Sequence, residues 1–219
     1  MSMKALTIQE LTFGWFAEPL LNKISAHLDP GEIVHLKGEN GAGKTTLLKL
    51  IAGQIPHFTQ GTLLSGDILI GRESIITMPP GYFFPSIAFI PGRHLDFFLF
   101  TENPEQEILV TQAISDLQLS EMEKRRTQFC RIFRRMNALR DTPYSEMTLA
   151  QKALALIYVY FLQGARLYLI DEALPKFNNE WLSFFDLLSS DNANVIFTCH
   201  QFKNESQKTW VLKDGVLWS

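Results

Sequence analysis

The stretch HLKGENGAGKTTLLKLIAG, residues 35–53, decides the fold. It sets Gly38, Gly41 and Gly43 with one lysine and two threonines between an apolar run, EIVHLK (32–37), and a segment with helical patterning, TTLLKLIAG (45–53). Gly38–Thr45 satisfies G-x-x-x-x-G-K-[ST] in the strand–loop–helix context that the pattern requires. Without side chains the loop can wrap a phosphate closely and turn successive N–H groups inward, and the helix start adds partial positive charge. The loop from Gly38 through Glu39, Asn40, Gly41, Ala42 and Gly43 to Lys44, Thr45 and Thr46 is therefore the candidate nucleotide-binding segment. Lys44 is placed to bridge the terminal phosphates, and Thr45 to offer its hydroxyl to Mg²⁺. The competing reading is a Gly-rich turn that only joins a strand to a helix.

Outward from this loop the pattern repeats. SIAFI (86–90), RLYLI (166–170) and NVIFTC (194–199) are short apolar strands separated by longer helical stretches, which predicts an α/β fold with a mostly parallel sheet. ALTIQELTFGWF (5–16), SGDILIGRESI (65–75) and TWVLKDGVLWS (209–219), the last with a turn at Asp214–Gly215, read as an antiparallel edge added to that sheet. Residues 95–147 show helical periodicity, acidic early and basic over EKRRTQFCRIFRRMNALR (123–140), and are predicted to be an inserted helical subdomain. Residues 150–163 are apolar on nearly every face, which predicts a buried helix. The chain is thus expected to be one domain, 1–219, with its core in 1–94 and 148–219.

RLYLIDEA sets Asp171 and Glu172 at the carboxyl end of a buried strand, the usual ligand side of a parallel sheet. Asp171 is the candidate Mg²⁺ ligand, and Glu172 the candidate base for an attacking water. Solvated charges opening a loop are the alternative. His200 follows the next apolar strand, where it can hydrogen-bond a γ-phosphate.

The bulk composition excludes several classes. With 219 residues and 46% hydrophobic content, the chain accommodates one sizeable core, and 20 basic against 23 acidic residues give a net charge of -3, so no nucleic-acid partner is expected. Two cysteines, Cys130 and Cys199, form neither a disulfide framework nor a zinc pattern. The N-terminus lacks a signal-peptide pattern, and the longest apolar run is too short to span a bilayer.

Lys44, the Asp171–Glu172 pair and His200 together resemble the nucleotide-binding subunit of an ATP-binding cassette (ABC) transporter, over nearly the whole chain. That resemblance implies a P-loop NTPase (RecA-like) core using ATP and Mg²⁺, with Lys44, Glu172 and His200 as catalytic groups. It implies an aromatic near the start that stacks on adenine; Trp15 fits, with Phe13 and Phe16 as competitors. It also implies a second ABC subunit, homo- or heterodimeric, and a separate transmembrane permease that holds the chain on the cytoplasmic face of the cell membrane. The short length and the CHQ ending resemble cassettes of small exporters, including those of cytochrome c maturation.

Three departures from the family pattern stand out. The signature position that would face a partner's nucleotide reads MTLAQK (147–152): Thr148 and Gln151 match, whereas Leu149 and Ala150 stand where two glycines are usual. T-L-A-Q is also a capping box, in which Thr148 and Gln151 satisfy the donors of a helix start. Gly92, followed by Arg93 and His94, replaces the usual glutamine, and ALPKFNNE (173–180) lacks the usual turn after Glu172. These departures imply either a heterodimer with one good site or a slow homodimer. The alternatives are a non-transport ABC ATPase and an ATP-binding regulatory or assembly module with little turnover. The aromatics Phe97, Phe98 and Phe100 lie where family members meet the permease, and core packing explains them equally well. The basic run 123–140 reads most simply as a solvated helical face, the alternative being docking on a membrane partner or anionic headgroups.

Overall fold

The structure, a computed structural model, describes residues 5–55, 63–79, 81–112, 117–174, 178–199 and 208–219. Strands β1 (Leu6–Gly14), β2 (Leu21–Leu28) and β3 (Ile33–Lys37) precede helix α1 (Lys44–Ile51). Then come β4 (Leu63–Ile70), β5 (Glu73–Ser74) and β6 (Ile87–Pro91). Helices α2 (Pro104–Thr111), α3 (Leu119–Ile132), α4 (Met136–Leu139) and α5 (Leu149–Leu162) follow, and β7 (Leu167–Asp171), α6 (Asn179–Ser190), β8 (Asn194–Thr198), β9 (Lys208–Lys213) and β10 (Val216–Trp218) complete the chain.

The central sheet runs β10-β9-β3-β8-β7-β6, parallel except for β10, which returns through the Asp214–Gly215 turn. Strands β6, β7 and β8 are buried on both faces. Successive strand residues point to opposite sides, so Ala88, Ile90, Tyr168 and Ile170 enter one core while Ile87, Phe89, Leu167 and Leu169 enter the other. The four apolar runs expected as parallel strands are β3, β6, β7 and β8.

The antiparallel strands divide in a way local patterning does not specify. The β9–β10 hairpin extends the central sheet, but β2-β1-β4-β5 make a sheet of their own that packs through Leu6, Ile8, Leu11 and Phe13 onto α1 and the central sheet. Strands β1, β2 and β4 each have one apolar face, and that face is covered when the sheet stacks over α1.

Between β6 and α5 the described residues form helices and short 3-10 turns, as the periodicity predicts. They share one core with the central sheet: Phe129 on α3 lies 5.3 Å from the rings of both Tyr158 on α5 and Phe184 on α6. Helix α5 is buried nearly throughout, in keeping with its uniformly apolar sequence. Arg125, buried on α3, donates to the Phe161 carbonyl, pairs with Asp191 at 3.3 Å and lies 5.0 Å over the Phe161 ring, so its charge is compensated inside the core.

Candidate functional site

The phosphate loop leaves β3 at Gly38 and enters α1 at Lys44. Gly43 holds the helix N-cap position with φ 101, a left-handed conformation that costs glycine little. At Gly38 the reason is close approach: a β-carbon there would lie 2.5 Å from the Leu212 carbonyl oxygen on β9. Lys44 is almost fully buried, and its Nζ donates to the carbonyls of Gly38 at 2.8 Å and Glu39 at 3.0 Å. The ammonium group is thus folded over the loop, satisfied by backbone oxygens that phosphate oxygens can replace. A hollow of about 580 Å³ lies between Gly38–Ala42 and the β9–β10 turn. A second, of about 230 Å³, is bounded by Lys44, Glu172, Thr198 and His35.

Strands β7 and β8 bring Asp171 and Thr198 against Thr45 at the start of α1. Thr45 Oγ1 donates to Asp171 Oδ2 at 2.7 Å, and Thr198 Oγ1 donates to Asp171 Oδ1 at 3.1 Å. The same Thr198 oxygen accepts from the Glu172 N–H at 2.8 Å. Glu172 has φ 54, an uncommon conformation for a side chain of its size, and it places an exposed carboxylate beside a buried one. Thr198 was absent from the sequence-derived candidates. The signal for it was a lone hydroxyl at the end of an otherwise apolar strand, one strand over from Asp171.

A hydroxyl touching a carboxylate is the hard-oxygen pair from which Mg²⁺ is commonly held together with phosphate oxygens, so the donor set at Thr45 and Asp171 fits that ion. Among the described residues no group of three or more His, Cys, Asp or Glu side chains forms a self-sufficient metal site.

Gly92, where the family pattern expects glutamine, is packed against the end of β7. A β-carbon at this position would lie 2.6 Å from the Asp171 carbonyl oxygen and 3.1 Å from that of Glu172. No side chain fits here while β6 and β7 keep their pairing of Pro91 with Asp171. Arg93 and His94 follow, both exposed.

The signature segment forms the N-terminus of α5. Gln151 N donates to Thr148 Oγ1 at 3.4 Å, while Thr148 N and Oγ1 donate to Gln151 Oε1 at 2.8 and 2.9 Å, a complete capping box. Ala150 is half-buried, and Leu149 projects into solvent with 52% of its surface exposed. Next in sequence, Lys152 forms an ion pair with Asp96, tying the start of α5 to the 3-10 turn after Gly92.

Of the three early aromatics, Phe13 is fully buried and Phe16 is 81% exposed. Trp15 lies between these extremes, edge-on to Phe13 with ring centroids 5.0 Å apart. That packing removes Phe13 as a base-stacking surface. His200 lies outside the described residues. His35 is buried, stacks on Phe197 at 4.8 Å and places Nε2 3.2 Å from the Cys199 carbonyl oxygen. Burial lowers its pKa below the ordinary 6.5, the Cys199 contact opposes that shift, and Lys37 adds to it.

Comparison with known proteins gives concordant results. A family model described as ABC transporter matches residues 21–175. The chain is 32% identical over 203 residues to the cytochrome c biogenesis ATP-binding export protein CcmA of Legionella pneumophila (strain Lens), covering 90% of this chain and 92% of that one. It is 29% identical over 204 residues to the ABC-type transporter ATP-binding protein EcsA of Bacillus subtilis (strain 168), covering 90% of this chain and 78% of EcsA. A solved structure described as the ATP-binding subunit of an ABC transporter superposes with a TM-score of 0.81 at 23% identity, over 98% of this chain and 88% of the other, which establishes likeness of fold.

Proposed function

The chain belongs to the ABC transporter family, and from that premise we propose that it is the ATP-binding and hydrolysing subunit of a transporter whose membrane path is a separate permease. The observation that carries the reading is the meeting of Thr45 at the start of α1 with Asp171 and Glu172 at a strand end, the two carboxylate residues linked through Thr198, with Lys44 lining the same hollow.

In this mechanism the triphosphate lies over Gly38–Thr46, and Lys44 exchanges its two carbonyl partners for phosphate oxygens. Backbone N–H groups at the start of α1 face the same oxygens. Trp15 offers its exposed face to the base. Thr45 and Asp171 hold Mg²⁺, which when bound neutralises charge developing on the phosphates. Glu172 orients a water and accepts its proton as the water oxygen bonds to the γ-phosphorus and the bond to the ADP oxygen breaks. His200 is assigned the γ-phosphate contact.

The N-terminus of α5, with Thr148, Leu149, Ala150 and Gln151, faces the nucleotide of a second ABC subunit. Thr148 and Gln151 already satisfy each other, and Leu149 stands where close backbone approach is needed, which supports slow or partner-dependent turnover. A heterodimer in which the other chain supplies the better signature fits this asymmetry.

Among the described residues no helix is long and apolar enough to cross a membrane. We assign the crossing to the permease, with this chain peripheral on its cytoplasmic side. A cavity of about 180 Å³ lined by Phe83, Phe84, Phe89, Phe98 and Tyr160, with Tyr82 and Phe100 exposed nearby, is the proposed seat for a permease segment.

Measuring ATP turnover of the wild type and Glu172→Gln tests the reading. The substitution is expected to abolish hydrolysis while ATP still binds; equal rates in the two proteins point instead to a nucleotide-gated module that does not depend on turnover.

A further inference from the structure

The basic run that sequence reads as a solvated face closes into a concavity. Arg126 and Arg131 on α3, Arg134 in the α3–α4 connection and Arg140 after α4 line an open hollow of about 510 Å³ together with Asn137 and Cys130. Among the described residues no carboxylate lines it. Carboxylates at its margin account for two of the four guanidinium groups: Glu105 at 2.6 Å and Glu123 at 3.1 Å for Arg126, and Asp141 at 3.4 Å for Arg140. Arg131 and Arg134 are exposed and have no acidic partner among the described residues. The neighbouring Arg135 is turned away toward Glu180, at 3.0 Å. In a chain of net charge -3, two uncompensated guanidinium groups beside two anchored ones form a local surplus that whole-chain charge conceals. Burial raises the pKa of the Cys130 thiol, so it stays protonated and adds no negative charge.

We propose that this hollow on the α3–α4 face is a binding site for a phosphate-bearing anion, separate from the phosphate loop. Guanidinium forks match phosphate oxygens two at a time, and the exposed groups of Arg131 and Arg134 are open to such an anion, whereas Arg126 is held in the wall of the hollow by Glu105 and Glu123. Arg131 lies in the last turn of α3 and Arg134 just beyond it; with no partner to displace, they supply the charge that attracts the ligand. Asn137, whose Nδ2 bonds the Arg134 carbonyl at 3.2 Å, holds the connection on which Arg134 sits. The site rests on these side chains alone and not on the proposed ATPase role.

Two sources share this chemistry, an acidic lipid headgroup and a soluble polyphosphate. The test uses the full chain with its phosphate loop saturated by Mg-ATP. Inorganic pyrophosphate is titrated in by calorimetry, and in parallel the chain is co-sedimented with phosphatidylcholine vesicles with and without phosphatidylglycerol. The wild type is expected to bind at least one probe: sedimentation only with phosphatidylglycerol vesicles identifies a headgroup site, and heat with pyrophosphate a soluble ligand. R131Q/R134Q should weaken binding by roughly tenfold or more while Mg-ATP affinity stays the same, and R131K/R134K, which keeps charge and loses the fork, should fall between them. Absence of binding to both probes, or binding unaltered in R131Q/R134Q, overturns the proposal.

Discussion

Replacing Thr198 with valine isolates the contribution of one hydroxyl to the site. Valine preserves volume at a position only 1% exposed, so no cavity forms. What disappears is the donor to Asp171 Oδ1 at 3.1 Å and the acceptor for the Glu172 N–H at 2.8 Å. A hydrogen bond to a charged group contributes about 1.5–3 kcal/mol, and an unsatisfied N–H costs about 1–3 kcal/mol. With partial rescue of the N–H by water, a net loss of about 2 kcal/mol is expected, or about 4–8 °C in Tm for a chain of this size. The kinetic effect is larger. Asp171 keeps its Thr45 contact but can rotate, and Glu172 loses the bond that fixes its left-handed backbone; misplacement on the order of 1 Å lowers turnover by about 10²-fold. Steady-state ATP hydrolysis across a Mg²⁺ titration is the assay, with Thr198→Ser as the rescue, since serine restores the oxygen. Turnover of Thr198→Val within about twofold of wild type, with superimposable Mg²⁺ dependence, refutes the argument that this hydroxyl positions both carboxylates.

Gly92→Ala tests the close approach of β6 and β7. Its β-carbon meets the Asp171 carbonyl at 2.6 Å, so a destabilisation of about 1–3 kcal/mol by overpacking is expected, together with reduced ATPase activity; an unchanged thermal melt contradicts the steric reason given for glycine there. His35 gives a pH dependence whose sign follows from burial. Its folded pKa lies below 6.5, so the neutral form is the one the fold accepts; its contribution is complete above pH 6.5 and is lost as pH falls through the lowered value. Thermal melts between about pH 8 and pH 5 should decline more steeply for the wild type than for His35→Gln, and parallel slopes contradict that assignment.

Much of this was legible in the sequence because it is local. The phosphate loop, its flanking strand and helix, the capping box of α5 and the Asp214–Gly215 turn each depend on residues within a few positions of one another. The parallel strands were legible from apolar runs of strand length. What escaped depends on partners far along the chain. Alternation shows that β1 and β4 have an apolar face, yet not that the face stacks on α1 instead of extending the central sheet. Gly92 looked like a missing glutamine, and only the pairing of Pro91 with Asp171 shows why a side chain is excluded. Thr198 passed for the polar end of an apolar strand until β7 and β8 were brought side by side. Among the arginines of 123–140, helical periodicity alone does not separate Arg125, compensated in the core, from Arg131 and Arg134, which are left uncompensated.

Calorimetric titration of Mg-ATP into the wild-type chain and into Lys44→Ala tests the central claim most directly. Saturable binding by the wild type, lost or weakened by roughly a hundredfold in the variant, is the expected result, because the Lys44 ammonium group is the cation seated on the loop carbonyls of Gly38 and Glu39. Equal heats and affinities in the two proteins, or no heat in either, contradict the account.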